Sequence, residues 1–169
     1  NLFDTLKENL EFQSYEAMLR CWHHVAQHQH KFNVLFCLHP SLDKEKYRFL
    51  EGDHCRLSVD KTENVIPLCD VYIACISATI RWAIMSGVPV INHDFYNLKY
   101  HDYDGIEGVV TVHTRQDFEE TFQKILKDDA FLQSLSLSLH KEKEDWAKLD
   151  GKCTERILNF MHDLVQKKA

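Results

Sequence analysis

Five short apolar runs mark the first two thirds of the chain, at residues 33–38, 55–59, 71–76, 88–92 and 109–112. Each run is too short for a core helix, and most carry β-branched or aromatic residues, which is typical of buried strands. Amphipathic segments separate the runs. Because short apolar strands that alternate with helices form βαβ units, the pattern predicts an α/β fold with a mainly parallel sheet of about five strands flanked by helices.

The segments between the runs carry the helical part of the pattern. Ser14 is a suitable N-cap for the first helix, which precedes the first run. Short helices are predicted over residues 43–50 and 62–69, the second one irregular because it contains a proline. A further helix is predicted over residues 77–86, directly after the third run. This alternation is that of a Rossmann-like domain.

The last third of the chain is predicted to be helical. Thr114 is followed three residues later by Asp117, a spacing similar to a capping box at the start of a helix. Beyond Asp117, apolar residues recur at helical spacing: Phe118, Phe122, Ile125, Leu126, Leu132, Leu135, Leu139, Trp146, Ile157, Phe160, Met161 and Leu164. The sequence therefore predicts a Rossmann-like sheet followed by a helical C-terminal third.

Length and composition narrow the class of protein. Of the 169 residues 44% are apolar, which suffices for one hydrophobic core, and we interpret residues 1–169 as a single domain. The net charge of −6 argues against a nucleic-acid binder, which needs a concentrated basic surface. We expect no transmembrane segment, since no apolar run approaches the roughly 20 residues of a membrane helix. The start has neither a signal-peptide pattern nor an initiator Met, which favours a cytoplasmic piece of a larger protein.

The cysteines and histidines form no recognisable metal or redox motif. None of the six cysteines belongs to a C-x-x-C pair, so we interpret them as free thiols in a reducing cytoplasm. His24 and His28 lie four residues apart on the first predicted helix. No Glu completes H-E-x-x-H there, so we expect a solvated face and no metal site. The chain also lacks a Walker A loop, a G-x-G-x-x-G and a G-x-S-x-G motif, which argues against P-loop NTPases and ordinary NAD enzymes.

Polar residues that directly follow the predicted strands are the candidate functional residues, because parallel α/β sheets bind ligands outside the carboxyl ends of their strands. Ser77, Ala78 and Thr79 follow the third strand and open a helix. Two hydroxyls, small side chains and unpaired helix N–H groups suit a nucleotide phosphate. The alternative is that Ser77 only caps the helix.

Other residues at the same edge of the sheet extend this candidate site. His39 and Pro40 end the first strand, where an imidazole could donate to a phosphate or act as an acid or base; otherwise it is a turn residue. Arg81 could reach a phosphate or remain solvated. Three residues after the fourth strand could contact a sugar or simply terminate the strand: Asn92, His93 and Asp94. The next loop has three tyrosines, interpreted as packed surface residues or as an aromatic lid: Tyr96, Tyr100 and Tyr103.

The segment from Asn64 to Val90, NVIPLCDVYIACISATIRWAIMSGVPV, resembles the C-terminal, donor-binding half of GT-B glycosyltransferases. The family pattern is an Asp before an apolar strand, a Ser/Gly/Thr turn, a helix bearing a small residue, and G-x-P-V. The matching residues are Asp70, Ser77, Thr79, Ala83, Gly87, Pro89 and Val90. The resemblance extends over residues 33–126.

Two subtypes of that superfamily differ in how they hold the donor. UDP-sugar enzymes, including the UDP-GlcNAc 2-epimerase-like group, carry a Glu for the ribose where this chain has Trp82. Bacterial sialyltransferases and CDP-glycerol-type transferases use a His-Pro pair and a Ser-Ser/Thr pair for the donor phosphate. His39-Pro40 and Ser77-x-Thr79 are similar to these pairs, with Ala78 between the hydroxyl residues.

The resemblance implies the donor-binding domain of a glycosyltransferase for surface polysaccharide biosynthesis. The donor would be a CMP-, CDP- or UDP-linked sugar and no metal or other cofactor is needed. His39 would be the catalytic residue, and a saccharide acceptor would bind a missing N-terminal domain, so the isolated domain is expected to be inactive. The protein would be cytoplasmic or peripheral to the inner membrane. The alternatives are a nucleotide-sugar epimerase or hydrolase, and a non-catalytic interaction module of the same fold.

Overall fold

The computed structural model describes residues 16–39, 41–99 and 101–166. Three residues singled out from the sequence lie outside this part of the chain: Ser14, Pro40 and Tyr100. Within it, helices and strands alternate up to residue 93, the fifth strand follows the fourth with no helix described between them, and helices come after it. The predicted α/β class and the helical C-terminal third are therefore confirmed.

All five predicted strands are present and all pair in parallel. β1 (Val34–Cys37) pairs with β2 (Cys55–Ser58) in a two-stranded sheet. β3 (Tyr72–Ala74), β4 (Val90–His93) and β5 (Val109–Val112) form a three-stranded sheet with β4 in the middle. The predicted sheet is therefore divided into two small parallel sheets.

The helices cover the segments between the strands and the C-terminal third. α1 is described over residues 16–27. The remaining helices are a 3₁₀ helix at Lys44–Leu50, α2 (Thr62–Val65) with a 3₁₀ turn at Ile66–Leu68, α3 (Ile80–Ser86), α4 (Arg115–Lys127), α5 (Asp129–Trp146) and α6 (Cys153–Gln166). Pro67 lies in the 3₁₀ turn, where its missing N–H ends the α-helical ladder.

Two helix ends follow directly from local residue chemistry. The Thr114 side chain accepts from the Asp117 N–H and donates to its carboxylate, which confirms the predicted cap of α4. α3 ends at Gly87, whose φ of 73° suits glycine. A Cβ at Gly87 would lie 2.5 Å from His140 Cε1, so a side chain there would require the exposed His140 ring to shift.

The third strand and the following helix are shorter than the sequence predicts. β3 stops at Ala74, two residues before the predicted end, and α3 begins at Ile80 rather than at Ser77. The reason is a sharp turn at Ile76, whose φ of 39° is incompatible with a continued strand. Ser77 and Thr79 therefore lie in a turn and not in a helix.

The hydrophobic core joins the two sheets. Phe36 of β1, Ile73 of β3 and Ile91 of β4 pack in one cluster with the buried Phe118 and Phe122 of α4. Most of the predicted helical apolar positions up to Leu139 are buried or half-buried. This shared core fixes the carboxyl ends of the strands relative to one another.

α6 does not contribute to this hydrophobic core. It forms a helix as predicted, but all its residues are exposed, including the apolar ones. Among the described residues, no helix combines the length and apolar character that a membrane crossing requires.

Candidate ligand site at the carboxyl edge of the sheet

Three hydroxyl groups form a hydrogen-bonded chain that links Tyr72, the first residue of β3, to the turn that follows this strand. Thr79 Oγ1 lies 2.7 Å from Ser77 Oγ and 2.6 Å from the Tyr72 hydroxyl. Ser77 Oγ also accepts from the Thr79 N–H at 3.2 Å, and the Ser77 carbonyl accepts from the Ile80 N–H. Ser77 thus closes the turn before α3, but the N-cap of α3 is Thr79, so Ser77 is not the helix cap of the alternative interpretation. Its hydroxyl remains part of the chain of hydroxyls.

A buried amide holds this turn to the rest of the sheet. Asn92 Oδ1, on β4, accepts from the Ile76 N–H at 2.9 Å, and Asn92 Nδ2 donates to Thr111 Oγ1 at 3.3 Å. Ile76 is β-branched, so its positive φ costs on the order of 1–3 kcal/mol. The Asn92 hydrogen bond is one of the contacts that stabilise this strained backbone.

The loop after β4 folds back over the hydroxyl chain. The Asp94 carboxylate accepts from the N–H groups of Leu98 and Lys99 at 3.0 and 3.3 Å. At the far end of the loop, the buried Tyr103 hydroxyl donates to the Ser77 carbonyl at 3.1 Å. The Arg81 guanidinium forms an ion pair with Asp102 of the same loop at 2.9 Å. The loop is therefore tied to the turn that carries Ser77.

His93 is a neutral side chain inside the sheet edge. It is 2% exposed, and no described residue accepts from or donates to its Nδ1. Its ring stacks on Phe95 with 4.9 Å between centroids. Burial lowers the pKa of His93 to about 4, against the opposing effect of Asp94. At neutral pH this imidazole does not offer positive charge to a phosphate.

Burial keeps the phenol of Tyr72 and the thiols near the ends of β1 and β3 in their neutral form. Burial raises the pKa of Tyr72; the Thr79 hydrogen bond lowers it, and the nearby thiols of Cys37 and Cys69 raise it further. Burial, with a smaller effect of Asp94, raises the pKa of Cys75 to about 11. The hydroxyls and thiols beside the turn are consequently neutral at physiological pH.

His39 follows β1 and contacts Ser41 in the next turn. It is exposed, and its Nδ1 lies 2.7 Å from Ser41 Oγ and accepts from the Ser41 N–H. Both of these contacts of His39 lie within the described part of the chain. Its predicted partner Pro40 lies outside that part.

The structure brings together one subset of the predicted residues. Ser77 and Thr79 contact each other, Ala78 is exposed between them, and Asn92 is linked to the same turn through Ile76. Tyr72 is a member of the hydroxyl chain that sequence reasoning missed. A phenol inside a predicted buried strand must find a hydrogen-bond partner, and this was the available signal.

Two grooves of the described surface lie away from these residues. One of about 510 Å³ lies beside α1 and α4, with Arg20 and Arg115 in its lining, and one of about 470 Å³ lies beside α5, with Pro89 and Leu137 in its lining. Neither is lined by a predicted site residue. Among the residues described, no three His, Cys, Asp or Glu side chains converge as a metal site would require.

The described geometry is thus a rigid, neutral, hydroxyl-lined turn at the edge where parallel sheets bind ligands. Its polar groups can donate to phosphate oxygens and hold them in position. No protein-family model matches the chain. A search of curated proteins also finds no similar protein.

Proposed function

We propose that this chain is the donor-binding domain of a glycosyltransferase. It would hold the phosphate of a nucleotide-activated sugar, CMP-, CDP- or UDP-linked, for transfer to a saccharide acceptor in surface polysaccharide biosynthesis. The acceptor would bind a separate N-terminal domain. The observation that carries the proposal is the chain of three hydroxyls formed by Tyr72, Thr79 and Ser77 at the carboxyl edge of the sheet.

Proton counting supports a ligand-binding role for these hydroxyls. Each hydroxyl carries one proton, and the two bonds that join the three groups use two of the three protons. Whichever way the chain is oriented, one proton is left to donate outward. A phosphate oxygen next to Ser77, Thr79 or Tyr72, depending on that orientation, would accept it.

α3, the helix after the turn, offers fewer groups for phosphate binding than the sequence suggests. α3 has only seven residues, and the N–H groups of Ile80 and Arg81 already donate to the carbonyls of Ser77 and Ala78. Arg81 is neutralised by Asp102 in an exposed ion pair. A phosphate would gain the Arg81 charge only by displacing Asp102, which loosens the loop that carries Tyr103.

The proposed contribution to catalysis is positioning and charge stabilisation. Fixed hydroxyl donors would hold the donor phosphate and stabilise the negative charge that develops on the leaving nucleotide. His39 would add a donor or a general acid from the end of β1, and Asn92, His93 and Asp94 would lie near the sugar. Because Asp94 and Asn92 already bind backbone N–H groups, they would act mainly by shaping the pocket.

Calorimetric titration with UDP, CMP and CDP tests the proposal. We expect saturable binding of one nucleotide, weakened about tenfold by Ser77→Ala and by Tyr72→Phe, since each removes one hydrogen-bonding hydroxyl. His39→Ala tests the second predicted donor. Ser138→Ala is the matched control, because its hydroxyl binds Glu107 away from this edge. Binding that survives all three site variants would contradict the assignment.

A non-catalytic interaction module of the same fold is the second candidate. The observation that favours it is the engagement of Arg81 by Asp102 and of Asp94 by the backbone of its own loop. Trp82 stands where UDP-sugar enzymes have a ribose-binding Glu, and this difference also favours the non-catalytic module. Absence of nucleotide binding at about millimolar concentration would favour this candidate over the donor-binding domain.

A further inference from the structure

α6 is an amphipathic helix without a partner in the described structure. Its residues contribute to none of the core clusters, and all are exposed. Six large apolar side chains, 46–71% exposed, share one side of the helix: Ile157, Leu158, Phe160, Met161, Leu164 and Val165. The opposite side carries Glu155, Arg156, Asn159, His162 and Asp163.

The apolar face of α6 requires another structural element to pack against it. An isolated helix of 14 residues is only marginally stable in water, and most helices in proteins depend on packing of their apolar face. Apolar patches larger than a few hundred Å² are uncommon on monomers. The six side chains together leave roughly 500 Å² of apolar surface open, judged from the area that burial of such residues removes.

The charges beside the apolar face favour a second copy of the same helix. One edge carries Arg156 and, seven residues later, Asp163; the other edge carries Glu155 and, seven residues later, His162. When two such helices run antiparallel, each edge lies beside the same edge of the other copy in the reverse direction. Arg156 then faces Asp163 of the second copy, and Glu155 faces the imidazole of His162, which can donate a hydrogen bond to it. Arg156 also binds Asp150, but its side chain remains 43% exposed and can contact a second carboxylate.

A membrane surface fits less well. Interfacial helices have a strongly basic polar face that attracts anionic lipids. The polar side of α6 carries two acidic residues and one arginine. The whole chain has a net charge of −6.

We propose that α6 is a dimerisation helix that packs antiparallel against α6 of a second copy of this chain. α6 is joined to its own domain at its N-terminus, through residues 147–152. Antiparallel pairing therefore leaves the two domains at opposite ends of a helix pair about 21 Å long. The pair buries roughly 1,000 Å² in total, near the lower limit of a specific interface. This interface is independent of the proposed nucleotide site.

Sedimentation velocity of the 169-residue chain between about 1 and 100 µM tests the interface. We expect a monomer–dimer equilibrium in which Phe160→Asp with Leu164→Asp weakens dimerisation by about a hundredfold. Asn159→Asp is the matched control, because it adds a charge on the polar side of the same helix and should leave the dimer intact. A monomer at every concentration, or a dimer unaffected by the double substitution, would overturn the proposal.

Cross-linking determines the orientation. Cys153 is exposed at the first residue of α6. In an antiparallel pair it lies near residue 165 of the other copy, so Val165→Cys should yield a covalent dimer with a short bis-maleimide, whereas the unmodified chain should not. A Cys153–Cys153 cross-link in the unmodified chain would show parallel helices and contradict the antiparallel pair. Nucleotide titration of the Phe160→Asp, Leu164→Asp variant tests the independence of the nucleotide site, which requires unchanged binding.

Discussion

The side-chain carbonyl of Asn92 accepts a hydrogen bond from the backbone N–H of Ile76 at 2.9 Å, across sixteen residues of sequence. Asn92 is 1% exposed, and its amide nitrogen donates to Thr111 Oγ1. One buried side chain therefore connects the turn after β3 to β4 and β5. The position of the candidate ligand site depends on this connection.

Asn92→Ala should destabilise the protein by about 2–3 kcal/mol, because it leaves the Ile76 N–H without its acceptor inside the protein. Urea denaturation measures the free energy of unfolding. Asn64→Ala, at an exposed asparagine of α2, should change it by less than about 0.5 kcal/mol. Equal losses for the two variants would show that the Asn92 contact does not stabilise the fold.

His93 should make the stability depend on pH. Burial lowers its pKa to about 4 in the folded protein, whereas the unfolded chain titrates near about 6.5. The unfolded state therefore binds the proton first as the pH falls, and stability is lost below about pH 6.5. The loss between pH 7 and pH 5 should reach about 2 kcal/mol from this residue.

Urea denaturation of His93→Gln at the same two pH values isolates this effect. The variant should lose most of the pH dependence and keep a smaller part that comes from His24, whose pKa burial also lowers. An unchanged slope in His93→Gln would mean that the imidazole is not buried as described.

Gly108 should tolerate a methyl group poorly. A Cβ at this position would collide with the fully buried side chain of Leu139. Gly108→Ala should therefore cost about 2–3 kcal/mol through overpacking of the core. Gly105→Ala is the matched control: its φ is 80° but no atom lies within 4 Å of the added carbon, so only the backbone penalty of about 1 kcal/mol applies. Thermal denaturation should separate the two variants.

Removal of the Thr114 cap should shorten α4. Thr114→Ala removes the acceptor of the Asp117 N–H and should cost about 1 kcal/mol, while Thr114→Ser keeps the hydroxyl and most of the stability. Urea denaturation distinguishes the two substitutions. A Ser variant as unstable as the Ala variant would exclude the cap as the cause.

The sequence predicted the elements well, because their signals are local. The five apolar runs correspond to the five strands, and the Thr114–Asp117 spacing predicted the start of α4 correctly. Each of these signals depends on residues within a few positions of one another. The parallel pairing of β1 with β2 and of β3 with β4 agrees with the helical connections between them, because parallel strands need a crossover connection.

The sequence predicted only part of the candidate site. Ser77 and Thr79 were found because they follow a strand, and the structure brings them together with Tyr72, which was not singled out. The Ile76 N–H donates to Asn92, 16 positions later, and Arg81 binds Asp102, 21 positions later. Such contacts have no local signature. The glycosyltransferase assignment stays a prediction.

The sequence by itself determined the strands, the cap of α4 and the amphipathic character of α6. Only the tertiary structure decided which of these surfaces are covered. The spacing of Ile157, Phe160 and Leu164 is as regular as that of Leu135 and Leu139, yet the first set is exposed and the second buried. The physical reason is that periodicity specifies an apolar face, whereas burial depends on another element that lies opposite that face.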